Sequence, residues 1–118
     1  MDEEKRSEHR HTLRLATEVH FNERPLEGMF RCQTENIGLF GAFLPADDLP
    51  LARKADVELV FHAVTKPNPK QYRLQAEVVR TADGGAGLRF ADLDPQELKQ
   101  FRRFLLEAKI AARQNGEA

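Results

Sequence analysis

The sequence predicts an all-β domain followed by a single C-terminal α-helix. Six short runs alternate apolar and polar residues with a period of two, and clusters of Gly, Pro, Asn and Asp separate them. After Asp94 the apolar spacing changes to three and four residues, the period of a helix lying on one face. Six short antiparallel strands and a terminal helix make a small β-barrel that closes its own sheet edges.

Residues 1–9 are almost entirely charged or polar and bury too little apolar surface to offset their ordering entropy, so they are expected to form a flexible N-terminal arm. In the first strand Leu15, Thr17, Val19 and Phe21 face inward, while Ala16, Glu18, His20 and Asn22 face water. Arg24-Pro25 ends that run, and the second, from Gly28 to Gln33, turns Phe30 and Cys32 inward. A glycine turn leads to the third, with Phe40, Ala42 and Leu44 inward and Phe43 outward, before a loop from Pro45 to Pro50. In the fourth, Val57, Leu59 and Phe61 alternate with Glu58 and His62 until Lys66-Pro67-Asn68-Pro69-Lys70 interrupts it. Tyr72, Leu74, Ala76 and Val78 form the inner face of the fifth, and Asp83-Gly84-Gly85 is a hairpin turn into the sixth, Ala86 to Phe90.

The helix is announced by its start. Asp94 is an N-cap, Pro95 occupies the first helical position, and Glu97 completes a capping box. Leu98, Phe101, Leu105 and Ala108, widened by Phe104, form a stripe that packs on the barrel or on a partner, and Asn115-Gly116 is a stop. The expected organisation is an arm over 1–9, one domain over 10–112 with the barrel at about 15–91 and the helix at about 95–112, and a tail over 113–118.

A chain of 118 residues, 41% hydrophobic, supports one core and leaves no room for a separate catalytic or output domain. Its net charge of −1 provides no global field to recruit nucleic acid or an anionic membrane. Residues 5–14 differ, with Lys5, Arg6, Arg10 and Arg14 against Glu8, a local excess suited to a small anion. No signal-peptide order and no membrane-length apolar run is present, so a cytoplasmic location without membrane insertion is expected. Cys32 is the single cysteine and is expected to be a buried structural thiol.

Arginine presents a flat, permanently charged fork that grips phosphate in two places, takes the O6/N7 edge of guanine, or stacks on a base. Twelve arginines in this chain produce roughly one R-x-x-x-R by chance, and both Arg6–Arg10 and Arg10–Arg14 have that spacing. Context selects the second. Arg10-His-Thr-Leu-Arg14 runs into a strand, Asn36-Ile-Gly38-Leu-Phe-Gly41 follows about one hairpin later, and Gly85-Ala-Gly87-Leu-Arg-Phe90 closes the series.

This ordered set resembles the PilZ domain, a family of cytoplasmic receptors for cyclic di-GMP, over about residues 6 to 110. In that family an R-x-x-x-R segment leads into a β-barrel, a (D/N)-x-S-x-x-G turn follows, and a G-x-G-x-x-F-like strand ends the barrel. The chain departs at one position, where Gly38 replaces the serine. The resemblance implies a six-stranded PilZ-like barrel, with Arg10 and Arg14 clamping the ligand and Asn36, Gly38 and Gly41 cradling a base. Arg6 is a candidate for an extra phosphate contact and Arg80 for stacking.

The bland readings are a solvated basic tail for the arginines, and turn-building for Asn36 and its glycines, which tolerate positive φ. His9, His11, His20 and His62 lack metal-ligand spacing, no nucleophile has a neighbouring base, and Gly84, Gly85 and Gly87 precede a strand, unlike a dinucleotide fingerprint. The expectation is a non-enzymatic cyclic di-GMP adaptor with no cofactor or metal. Its arm orders on binding and changes contact with a protein partner, which the resemblance implies is a signalling kinase or a flagellar or exopolysaccharide component. The alternatives are a degenerate module that no longer binds nucleotide, favoured by Gly38, and a single-strand nucleic-acid binder, disfavoured by a lone tyrosine and no tryptophan.

Overall fold

The computed structural model describes residues 10–23, 26–45, 53–82 and 84–114. Its strands are β1 (Arg10–His11), β2 (Ala16–Glu23), β3 (Leu26–Gln33), β4 (Asn36–Gly38), β5 (Gly41–Pro45), β6 (Asp56–Ala63), β7 (Lys70–Ala82) and β8 (Gly85–Phe90), and its helix is α1 (Pro95–Gln114). All the pairings are antiparallel, in the order β1-β4-β5-β8-β7-β6-β2-β3, and the sheet curls into a half-barrel.

The six expected runs are present as β2, β3, β5, β6, β7 and β8, so the fold class holds while the strand count does not. The additional strands, β1 with 2 residues and β4 with 3, are too short for alternation to reveal. Phe40 is a second correction: it is 58% exposed because it lies in the turn before β5 begins. Arg24-Pro25, residues 46–50, Asp83 and Asn115-Gly116 lie outside the described residues.

Inward residues of the strands supply the core, where Val19, Leu59, Phe61, Val78 and Leu88 are fully buried. Helix α1 closes it. Phe101 lies 6.2 Å from the Phe61 ring, 5.5 Å from Phe90 and 4.9 Å from Tyr72, so the apolar stripe of the helix is directed to the barrel. Its start is fixed by the reciprocal capping box, with Glu97 N–H donating to Asp94 Oδ1 at 2.8 Å and Asp94 N–H to Glu97 Oε1 at 3.2 Å. Lys70 pairs with Glu107, tying the start of β7 to the helix. Cys32 is only half-buried, and that burial pushes its thiol pKa up.

Candidate functional site

The candidate site is built on the outer face of β4, β5, β8 and β7. Strand pairing sets Asn36 opposite Phe43, Phe43 opposite Gly87, and Gly87 opposite Arg80, so these residues form one row across four strands. Arg80 reaches this row through a β-bulge. After Val78 pairs with Leu88, two residues of β7 oppose a single step of β8, so Arg80 escapes the inward alternation that buries Val78. Its guanidinium carbon stands 5.9 Å from the centroid of Phe43. The side chain lies across Gly87, where a Cβ would meet Arg80 Cγ and Nε at 3.0 Å.

β1 lies beside β4 at the end of the strand order. Arg10 pairs with Gly38 and His11 with Ile37, so the first motif arginine stands directly across from the position where the motif serine is replaced. Gly38 and Gly41 are buried at the two ends of the β4–β5 turn, Gly41 opposite Arg89 of β8. Arg14 is exposed between Leu13 and Leu15, which are both buried. The backbone there is held by Thr34, which sequence reasoning did not single out. Thr34 Oγ1 donates to the Leu13 carbonyl and accepts from Leu15 N–H at 2.9 Å, and Thr34 N–H donates to the Leu15 carbonyl at 3.1 Å. Nothing in the local pattern marks this threonine, because its partners lie 19 and 21 residues away.

The sequence-derived site residues therefore separate into groups. Arg10, Asn36, Gly38 and Gly41 come together through β1, β4 and β5, and Arg80 joins the row from β7. Arg14 is placed at the entrance to β2, and Arg6 lies outside the described residues. A neighbouring groove of about 580 Å³ is lined by Asp56, Glu77, Asp92 and Arg89 among others. Three acids against one base repel phosphate, which leaves the arginine and glycine row as the anion-binding candidate. On another part of the outer face, His20 and His62 both direct Nε2 at the Glu18 carboxylate, at 2.9 and 2.6 Å, and these hydrogen bonds, His20 first, hold that carboxyl below its usual range. Among the described residues no group of three ligands suits a metal ion.

The PilZ domain model matches residues 4–107, most of the chain. The chain belongs to the PilZ domain family. PilZ domains are regulatory receptor and adaptor domains in cyclic di-GMP signalling, not enzymes. Two solved structures share the fold. The PilZ domain of CeSA from a cellulose-synthesizing bacterium aligns with a TM-score of 0.61 at 16% identity, over 83% of this chain and 95% of that one. The Bacillus subtilis inhibitor of motility MotI/DgrA aligns with a TM-score of 0.62 at 16% identity, over 91% of this chain and 49% of that one. No curated protein matches the sequence. Among the described residues no helix is long and apolar enough to cross a membrane.

Proposed function

We propose that this PilZ domain is a cytoplasmic cyclic di-GMP receptor acting as an adaptor. Arg10 and Arg14 clamp phosphates and guanine edges, while Asn36 with Gly38 and Gly41 cradles a base. The observation that carries the reading is the β1–β4 ladder, which sets Arg10 opposite Gly38 and so joins the two family motifs at one place. The ligand is a dianion with two guanines, and arginine is the side chain whose fork suits both groups. The Arg80–Phe43 pair at the far end of the row offers a flat cationic face on which a base stacks.

As a receptor and adaptor domain, it passes the signal on by contact with a partner protein. On this reading the segment before β1 orders over the nucleotide and alters the surface that partner meets. A signalling kinase or a flagellar or exopolysaccharide component is the kind of partner the family implies. Calorimetric titration with cyclic di-GMP, with an unrelated dinucleotide as control, tests the reading. Saturable binding of cyclic di-GMP alone is expected; the absence of any saturable heat at millimolar ligand contradicts it. The replacement of the motif serine by Gly38 favours a second reading, a nucleotide-independent interaction module, which that null result selects.

A further inference from the structure

We infer that Thr34 is a positioning residue for ligand capture, acting through Arg14; the inference rests on the receptor reading above. Thr34 is 1% exposed, at the junction between β3 and β4. Its hydroxyl is used twice, as donor to the Leu13 carbonyl and as acceptor from Leu15 N–H, and its own N–H reaches the Leu15 carbonyl. Those groups belong to the two residues that flank Arg14. Thr17 Oγ1 also donates to the Leu15 carbonyl at 2.8 Å, so that oxygen is held from two sides.

The chemistry of this clamp is specific. Residues 12–15 are in no ladder, so their backbone groups depend on partners other than sheet pairing. Buried Leu13 and Leu15 set the depth of the segment, but apolar contacts are non-directional and leave its rotation about the chain axis unset. The paired bonds to Thr34 supply that direction and turn Arg14 outward. Thr34 stands two residues before Asn36, so one short stretch, 34–38, anchors Arg14 by side-chain bonds and Arg10 by the β1–β4 ladder. Both motif arginines are thereby referred to the same piece of backbone that carries Asn36 and Gly38. A ligand that needs two arginines at a fixed separation loses affinity when either reference is loosened.

Thr34→Val keeps the shape and removes the hydroxyl, whereas Thr34→Ser keeps the hydroxyl. Cyclic di-GMP titrations well below the melting temperature are expected to give at least about 10-fold weaker binding for Thr34→Val and a change under about 3-fold for Thr34→Ser. A general loss of fold weakens binding whatever the state of Arg14, so the decisive readout is a double-mutant cycle. In an Arg14→Ala background, Thr34→Val is expected to add less than about 2-fold. Parental affinity of Thr34→Val, or an undiminished penalty in the Arg14→Ala background, overturns the inference. Amide exchange of the ligand-free proteins separates this failure from failure of the receptor reading. Leu15 N–H is expected to lose more protection than Val19 and Leu59 in Thr34→Val, because core amides report only the global loss of stability, and to keep its protection in Thr34→Ser. If the parent binds no cyclic di-GMP, the receptor reading falls; unaltered Leu15 protection in Thr34→Val overturns the clamp independently.

Discussion

Gly38 concentrates the residue-scale question, because it stands where the family motif has serine and directly across from Arg10. It lies within strand β4, and the described glycine with a positive φ is Gly84, so strand-compatible serine imposes no left-handed strain at 38. Gly38→Ser is expected to tighten cyclic di-GMP binding about 2- to 10-fold by restoring one neutral hydrogen bond, with thermal scans run alongside because the position is buried; parent-like or weaker binding at an unchanged melting temperature contradicts the prediction. Arg14 gives the opposite sign. Its side chain is exposed, so Arg14→Ala is expected to cost at least ~2 kcal/mol of ligand binding while shifting thermal stability by less than about 0.5 kcal/mol. Parent-like binding by that variant moves the clamp to Arg10 and Arg6.

At the scale of elements, two glycines of β8 make contrasting demands. A Cβ at Gly85 would stand 2.3 Å from the Leu44 carbonyl oxygen, so Gly85→Ala forces backbone apart and is expected to lower the urea midpoint by an amount equivalent to about 1–3 kcal/mol. A Cβ at Gly87 meets the flexible Arg80 side chain instead, so Gly87→Ala is expected to alter ligand affinity more than stability. The helix start is a third test: Asp94→Ala removes a cap at 2.8 Å and is expected to cost about 1 kcal/mol in the same unfolding measurement. That cap was legible in the sequence, as were the six longer of the strands, because alternation and turn residues are local signals. Two short strands were not legible, since β1 exists only through its partner β4. The outward face of Phe43 could be read from alternation, but its meeting with Arg80 depends on a bulge at Val79 that no turn residue announces. Thr34 was hidden for a similar reason, its partners being distant in sequence. The Phe40 error has a local cause, a strand that starts one residue later than the pattern suggests.

Over the molecule as a whole, the proposed ligand row and the histidine cluster occupy different parts of the outer face and make separable contributions. Glu18 is held low by His20 and His62, so as pH falls the unfolded chain takes up this proton first. The stabilisation is complete above the ordinary carboxylate range and is lost as pH drops through the lowered value. Over about pH 5 to 3, the urea midpoint of the parent should fall more steeply than that of Glu18→Gln; parallel curves would show that the pair contributes nothing to folding. The effect is small because all three side chains are partly exposed. The proposed ligand site lies on another part of the same outer face, where the pairing of β1, β4, β5, β8 and β7 sets the Arg10 backbone beside Asn36 and its glycines and brings Arg80 into the same row. The most direct test of that assignment is an amide-resolved NMR titration with cyclic di-GMP. Saturable shifts are expected at Arg10–Arg14, Asn36–Gly41, Gly87 and Arg80, with α1 and the Glu18–His62 cluster unmoved; shifts confined to α1 and that cluster, or none at saturating ligand, would contradict the proposed site.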